Sequence, residues 1–217
     1  MTPKKKHLNK YLIGLAGLFV VSLVLAISDE MFEEIRVKYG LDAINRVQQW
    51  QQLVKSSSDL PEQEKLKKVN DFFNQRVEFV SDSLLWGQDD YWATPLEFLA
   101  KGAGDCEDYS IAKYFTLRKL GVDDEKLRIT YVKALELNQA HMVLTYFSTP
   151  RAIPLVLDNL IPAIKPALIR KDLLPVYSFN GSGLWLAKAR GNGKRVGGSS
   201  RLSLWGELKQ RMEEESN

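Results

Sequence analysis

The sequence predicts an α+β domain, because helical segments fill its first half and strand-like segments fill its second half. Between Asp29 and Lys55, apolar residues recur at three- and four-residue steps, which indicates amphipathic helix. After Gly121 the pattern changes to short runs rich in branched and aromatic residues, separated by turn-forming residues. The sequence contains no internal repeat, so one mixed domain is expected.

An export signal precedes this domain. Four lysines within the first ten residues are followed by an uninterrupted apolar run from Tyr11 to Ile27. This pattern is typical of a signal peptide, and a run of ~17 residues is also just long enough for an uncleaved membrane anchor. In either case the basic flank stays inside and the rest of the chain is exported. We therefore assign 1–27 to a signal peptide or N-terminal anchor and expect membrane contact only through that segment.

The charge balance gives no reason to expect nucleic acid as a partner. The formal net charge of the whole chain is +3. Residues 1–26 hold four lysines and no acid, so without them the net charge falls to about −1. The basic pI therefore does not indicate nucleic-acid binding. About 190 residues remain, enough for one domain with a sizeable core.

Helix start and stop signals divide the first part of the domain. The stretch SDSLLWGQDDYWATP lacks a clear period and is predicted to be an ordered loop. Proline at a helix start and glycine after a helix end mark the other boundaries. The predicted helices cover 29–55 with a break near Gly40, a segment following Pro61, 95–100, and a segment from Cys106 to about Leu120.

The second half of the domain is predicted to be a sheet. Its strand-like segments are KLRITYVKAL, AHMVLTYF, AIPLVLDNL and LLPVYSFNGSGLWLAK, the last being one strand or a hairpin that turns at Asn180 and Gly181. The predicted domain covers 28–190. The stretch GNGKRVGGSS predicts a flexible linker and the final residues an amphipathic helix, so 191–217 is assigned to a linker and C-terminal helix.

The only cysteine of the chain lies in GAGDCEDYSIAKYF, where a glycine-rich loop meets a predicted helix. A single cysteine in an exported protein cannot form an internal disulfide, so Cys106 needs another explanation. With Asp105 as the N-cap, Cys106 takes the first helical position, one of the few places that lower the pKa of a thiol. A nucleophilic thiol also needs a base. His141 is the only histidine outside the leader.

An aspartate lies on the strand that follows His141. If the STPR segment reverses the chain at its central Thr-Pro pair, Asp158 falls directly opposite His141, near enough for its carboxylate to hold a ring nitrogen. A register shift of one residue would destroy this arrangement. Taken singly, Cys106 also fits a small core residue, His141 a satisfied strand residue and Asp158 a turn residue. Together they form a Cys-His-Asp set, which favours nucleophilic catalysis.

The stretch WGQDDYWATPLEFLAKGAGDCEDYSIAKYF, followed by AHMVL and LVLDN, resembles the LapG-type periplasmic proteases of the bacterial transglutaminase-like cysteine proteinase family. The resemblance runs from about Phe72 to Tyr177. It implies a papain-like or transglutaminase-like fold, with the nucleophile helix packed on an antiparallel sheet that carries its partners. It also implies that the substrate is a large surface adhesin, cut near its N-terminus at a pair of alanines to disperse a biofilm. An inner-membrane receptor of the LapD type is the implied inhibitor when cyclic di-GMP is high.

The acids around Cys106 raise a physical difficulty. Asp105, Glu107 and Asp108 should raise the pKa of the neighbouring thiol, so something ought to offset their charge. One hypothesis is a bound calcium ion, with further oxygen ligands from the WGQDDYW loop. The resemblance implies the same, because proteases of the LapG type need calcium through the acids that flank the cysteine. For Asp108 the alternative is a helix-capping role.

The sequence and the resemblance together predict a calcium-dependent cysteine endopeptidase of the periplasm. In this interpretation Cys106 attacks a peptide carbonyl, His141 accepts the thiol proton, and Asp158 orients the imidazole. Two alternatives stay open. A transglutaminase or amidase would use the same triad with an amine as acceptor, and a non-catalytic binding module would carry an incidental thiol.

Overall fold

The computed structural model describes residues 29–188 and 191–215. The predicted signal peptide or anchor, residues 1–27, lies outside them. Within the described residues, no helix is long and apolar enough to cross a membrane. A helical half is followed by an antiparallel sheet and a final helix, so the predicted α+β class is confirmed.

Glycines with a left-handed backbone separate several of the helices. Gly40, with φ of 83°, lies between the first two, and Gly102, with φ of 69°, ends the fifth. Thr94 caps the start of that fifth helix in a reciprocal pair with Glu97. The helices are α1 (Asp29–Tyr39), α2 (Leu41–Ser57), α3 (Glu62–Arg76), α4 (Asp82–Leu85), α5 (Pro95–Lys101), α6 (Cys106–Lys119) and α7 (Ser203–Glu214).

One turn of helix, α4, interrupts the predicted loop over 81–95. The N–H groups of Leu84 and Leu85 both donate to the carbonyl of Ser81, at 3.0 Å each. A single turn is too short to produce a visible hydrophobic period, which is why the sequence pattern did not indicate it. The remainder is ordered as predicted, and Trp92 is buried against Phe179 with ring centroids 5.4 Å apart.

The strands are β1 (Glu78–Phe79), β2 (Ala103–Gly104), β3 (Leu127–Ala134), β4 (Gln139–Tyr146), β5 (Leu155–Leu157), β6 (Lys165–Pro166), β7 (Leu173–Phe179), β8 (Leu184–Lys188) and β9 (Gly191–Gly197). The large sheet has the order β6-β5-β4-β3-β7-β8-β9, with every neighbouring pair antiparallel. β7 and β8 form a hairpin across the turn at Asn180, which decides between the two predicted alternatives. β1 and β2 form a separate parallel pair that fixes the chain just before α6.

The segment predicted to be a flexible linker contains a strand. β9 pairs with β8 at the edge of the large sheet, so the linker prediction is wrong for 191–197. The physical reason is that strand pairing uses main-chain N–H and C=O groups, which glycine supplies as well as other residues do. The predicted C-terminal helix is confirmed by α7, whose Trp205 and Leu208 are fully buried in the core.

The sheet has apolar side chains on both faces. On one face, residues such as Ile129 and Leu144 join the helices in the main core. On the other face, Val132, Val143 and Val156 form a smaller cluster. Helix α6 packs against β3 and β4 on the first of these faces. This packing brings the N-terminal end of α6 to the sheet, and the candidate site lies there.

Candidate active site

Cys106 is the first residue of α6, as predicted. A Cβ atom at Gly104 would lie 2.4 Å from Asp108 Oδ2 and 2.6 Å from the ring of Phe98. Only glycine therefore allows the preceding loop to approach the helix start this closely. The Cys106 thiol donates a hydrogen bond to Glu107 Oε2 at 2.9 Å.

The surroundings of the Cys106 thiol oppose its ionisation. Burial raises the pKa of the thiol well above its ordinary value, and the charges of Glu107 and Asp105 raise it further. A hydrogen bond from the main-chain amide of Met142 acts in the opposite direction. The difficulty expected from the neighbouring acids is therefore present in the structure. The same amide contact places the thiol beside the His141–Met142 peptide of β4.

His141 and Asp158 are in direct contact. His141 Nε2 lies 2.8 Å from Asp158 Oδ1, and the two side chains are 3% and 0% exposed. The predicted approach of the imidazole and the carboxylate is confirmed. The other ring nitrogen, Nδ1, is therefore turned away from the aspartate.

The strand register differs from the prediction by two residues. The paired residues of β4 and β5 place Asp158 beyond the end of β5 rather than directly opposite His141. The turn is centred one residue later than expected, because the N–H of Ala152 donates to the carbonyl of Thr149. A shift of two residues keeps every side chain on its original face of the sheet. The contact between the two side chains therefore survives the error in register.

The carboxylate of Asp158 has partners on both oxygens. Oδ1 also accepts from the N–H of Leu160 at 3.0 Å, and Oδ2 accepts from Arg170 Nη2 at 2.7 Å. Burial alone would raise the pKa of Asp158, but the hydrogen bond and charge of His141, with the hydrogen bond of Arg170, hold it below its ordinary value. The carboxylate is therefore ionised and fixed, as a group that orients an imidazole must be.

A buried lysine lies behind Asp158. Lys113 Nζ donates to Asn74 Oδ1 at 2.8 Å, and Asn74 Nδ2 donates to the carbonyl of Asp158 at 2.8 Å. Lys113 is 1% exposed, and burial lowers its pKa to about 7. Lys113 follows Cys106 by seven residues, so helix periodicity could have placed it on the buried face of α6. Nothing in the sequence marks Asn74 or Arg170, whose contacts with Asp158 span 84 and 12 residues of the chain.

Five carboxylates in the described part of the chain gather beside the thiol. In two groups made of acids alone, one oxygen from each member lies within 4.8 Å of the others. These groups are Asp82 with Asp90 and Glu107, and Asp82 with Asp105 and Asp108. The three predicted metal ligands are thus brought into one cluster, with Asp90 supplied by the WGQDDYW loop as expected. Asp82 comes from α4 and is an addition to the predicted set.

The cluster fits a hard divalent cation. Asp82 Oδ1 and Asp105 Oδ1 are buried and have no hydrogen-bond partner in the structure. Burial raises the pKa of Asp82 to about 6, and burial with the charge of Glu107 raises that of Asp105 to about 8. Buried negative charge is costly unless it is paired, and several carboxylate oxygens are the ligands that calcium prefers.

Asp108 also has the capping role that was the alternative to metal binding. Its Oδ1 accepts from the N–H of Ala93 at 2.8 Å, and its Oδ2 accepts from the N–H of Asp105 at 3.3 Å. Asp108 is 0% exposed. It therefore ties the start of α6 to the loop before α5, and each oxygen keeps a second lone pair for a cation.

The family of the chain follows from a match that includes all three proposed catalytic residues. The family model of the bacterial transglutaminase-like cysteine proteinases matches residues 42–169, which include Cys106, His141 and Asp158. The chain belongs to this family. This proteinase is therefore a cysteine protease, which favours that interpretation over the non-catalytic alternative.

Solved structures of LapG from Legionella pneumophila are similar to this proteinase. The EGTA-treated form is 46% identical, has a TM-score of 0.75, and is matched over 86% of this chain and 98% of its own. The calcium-bound form is also 46% identical, with a TM-score of 0.72 and coverage of 86% and 99%. No curated protein matches the chain. The predicted LapG-type resemblance and transglutaminase-like fold are confirmed.

Proposed function

We propose that this proteinase is a calcium-dependent endopeptidase in which Cys106, His141 and Asp158 form the catalytic triad. The contact of His141 Nε2 with Asp158 Oδ1, 2.8 Å apart and buried, carries this proposal. The Cys106 thiol, at the start of α6, is hydrogen-bonded to the main-chain amide of Met142, the residue that follows His141. An oriented base and a nucleophile at a helix N-terminus are the two parts that cysteine proteolysis needs.

The proposed reaction uses these groups in order. Cys106 Sγ bonds to the peptide carbonyl carbon while its proton passes to His141, which then protonates the leaving amine as the carbon–nitrogen bond breaks. Asp158 holds the ring and stabilises its charged form. Main-chain N–H groups at the start of α6, including that of Cys106, stabilise the oxyanion. Water then hydrolyses the thioester and regenerates the thiol.

Calcium completes the proposed site. Support comes from the partnerless buried oxygens and from LapG, which has been solved in calcium-bound and EGTA-treated forms. When bound, the ion would neutralise carboxylates that otherwise raise the pKa of the thiol. The residues that would hold it are Asp82, Asp90, Asp105, Glu107 and Asp108.

We place the enzyme in the periplasm, with a large surface adhesin as its substrate. It would cut the adhesin near the N-terminus at a di-alanine site, release it and promote biofilm dispersal. A LapD-type inner-membrane receptor of cyclic di-GMP would inhibit it. Similarity to LapG, at 46% identity over 98% of the LapG chain, and the export signal in residues 1–27 support these assignments. Nucleic acid is not a proposed partner, and membrane contact is limited to an uncleaved leader.

The direct test is cleavage of the N-terminal region of a candidate adhesin by the purified mature enzyme in excess calcium. The expected product is a fragment whose new N-terminal residue is the second alanine of the pair, and Cys106→Ala should release none. Absence of cleavage by the wild type, or equal cleavage by Cys106→Ala, would overturn the proposal. Incorporation of an amine into a glutamine substrate in place of hydrolysis would support the transglutaminase alternative.

A further inference from the structure

A row of side chains crosses the sheet beside the thiol. Strand pairing places Met142 opposite Tyr131. It also places Tyr177 opposite both Tyr131 and Leu186. Residues directly opposite one another in antiparallel strands point to the same face of the sheet. Met142, Tyr131 and Tyr177 all pack on the main core, so this row, here called the aromatic row, lies on the face that carries the helices.

The aromatic row is where the helical cover of this face ends. The adjacent row is at most 9% exposed and consists of Leu144, Ile129, Phe179 and Leu184. Exposure along the aromatic row rises from 4% at Met142, through the half-buried Tyr131 and Tyr177, to 53% at Leu186. The aromatic row is therefore a ledge whose apolar surface is open to solvent on one side.

The ledge begins at the proposed catalytic groups. Met142 follows His141 directly, and its main-chain amide is hydrogen-bonded to the thiol of Cys106. Farther along, Tyr177 lies near the acidic cluster, because burial, Tyr131, Asp90 and Glu107, in that order, all raise its pKa. A chain bound at the thiol therefore has the aromatic row within immediate reach.

Two features limit the movement of the ledge and determine its shape. The rings of Tyr131 and Tyr177 stack with centroids 5.1 Å apart and planes at 7°, so each ring holds the other in place. The β3–β7 pairing shifts after Tyr131, and this bulge leaves Val176 without an opposite residue and 46% exposed. Bulges are frequent next to active sites, where they change the direction of side chains.

The length of the ledge sets how much substrate it can hold. Met142 and Leu186 are separated by three strand spacings, or about 14 Å at ~4.8 Å each. An extended chain advances about 3.3 Å per residue, so about four residues fit along the row. We propose that the substrate polypeptide lies extended on the aromatic row, an inference that rests on the endopeptidase function proposed above. Neutral apolar side chains of the substrate contact Tyr131, Tyr177 and Leu186 on one side of the scissile bond.

The test compares cleavage preferences of the mature enzyme and its variants in excess calcium. A mixture of tryptic peptides from a bacterial lysate and the adhesin N-terminal region serve as substrates, with cleavage sites identified by mass spectrometry. Leu186→Glu and Tyr177→Ala should lower kcat/KM by about ten-fold, mainly through KM, because an apolar subsite contact has this magnitude. Leu168→Glu is the matched control, since Leu168 is 49% exposed and follows β6 at the opposite edge of the sheet. Thermal unfolding of each variant checks that it is folded.

Wild-type cleavage sites should share apolar residues at fixed positions on one side of the scissile bond. This preference should weaken in Leu186→Glu and Tyr177→Ala but not in Leu168→Glu. Equal behaviour of Leu186→Glu and Leu168→Glu, or no positional preference in the wild type, would overturn the inference. If the wild type prefers apolar residues in the peptide mixture but does not cleave the adhesin, the inference about the aromatic row is retained and the proposed substrate is rejected. Adhesin cleavage at equal rates by all variants would reject the aromatic row and retain the proposed function. If the wild type cleaves neither substrate, both are rejected.

Discussion

The two sides of the proposed active site differ in how completely the chain itself supplies partners for their buried carboxylates. On the sheet side, the Asp158 carboxylate has three partners, namely His141, Leu160 and Arg170, and its pKa is lowered. On the helix side, Asp82 Oδ1 and Asp105 Oδ1 are buried without partners, and the pKa values of both acids are raised. The sheet side is preorganised by protein contacts alone, whereas the helix side has the charge and geometry of a site that a cation completes.

This difference separates two kinds of control over one reaction. Orientation of the imidazole is built into the fold and needs no ligand. In the proposed mechanism, suppression of the negative charge around the thiol needs an ion, so the concentration of that ion would set how much enzyme is active. Changes on the sheet side should therefore alter the rate at any calcium concentration, and changes on the helix side should alter the response to calcium.

The largest effect is expected from Asp158→Asn. An asparagine keeps the size of the side chain but cannot stabilise a charged imidazole, so kcat should fall by about 10³-fold or more at saturating calcium. Asp172→Asn is the control. Asp172 Oδ2 also accepts from Arg170 Nη2, at 2.7 Å, but Asp172 is not a partner of His141. Steady-state kinetics measures both. Retention of more than about a tenth of wild-type kcat by Asp158→Asn would contradict the assigned role.

Lys113 should give the sheet side a characteristic pH dependence. Burial lowers its pKa from the ordinary lysine value of 10.5 to about 7, so between these pH values the unfolded state binds more protons than the native state. Stability conferred at this position therefore rises with pH across that window. Lys113→Met has no ionisable group at this position, so it should be more stable than the wild type at pH 7. The difference between their free energies of unfolding should then shrink by about 3 kcal/mol between about pH 7 and 10.

Urea unfolding at several pH values measures this advantage, with Lys68→Met as the control. Lys68 is an exposed lysine of α3, so its replacement should give a difference that does not vary with pH. A pH-independent difference for Lys113→Met as well would show that Lys113 is not a buried lysine with a lowered pKa.

On the helix side, Asp82→Asn should remove most of the stabilisation by calcium. An ion at about 100 times its Kd adds ~2.7 kcal/mol to the free energy of unfolding, which corresponds to a rise of several degrees in Tm. Without calcium the variant should be at least as stable as the wild type, because one of the mutually repelling buried carboxylates is gone. Asp59→Asn, at an exposed acid, should respond to calcium as the wild type does. An undiminished calcium response in Asp82→Asn would exclude Asp82 from the site.

The smallest effect is expected from Asn74→Ala, which removes the donor to the Asp158 carbonyl while leaving the triad intact. Loss of this positioning contact should lower kcat by about ten-fold with little change in KM. Asn180→Ala is the control, since Asn180 is also a buried asparagine whose Nδ2 donates to a main-chain carbonyl, that of Asp124 at 2.9 Å, but it does not contact Asp158. A change confined to KM, or an equal loss in Asn180→Ala, would argue against a specific role for Asn74.

The helix side of the site was the more predictable from sequence. Cys106, Asp105 and Glu107 are neighbours in the chain, and the glycine before them marks the helix start, so local rules are sufficient. Asp82 was missed because it joins the cluster only through α4, a single turn with no visible period. The predicted linker failed for a related reason, since the strand β9 depends on an edge provided by β8 and not on its own composition.

The sheet side was predicted in outline and not in detail. Two adjacent strands were enough to bring His141 to Asp158, and the two-residue error in register preserved the facing of the side chains. Arg170 and Asn74 hold the same aspartate from distant parts of the chain. No spacing or composition rule identifies such contacts, because they exist only after the core has formed.

The most direct test of the difference between the two sides is the calcium content of the pure enzyme at equilibrium. After dialysis against micromolar calcium, metal analysis should find about one calcium ion per wild-type chain, and that ion should be lost in Asp82→Asn and retained in Asp158→Asn. Calcium at the level of the dialysis buffer in the wild type would contradict the claim that a cation completes the helix side.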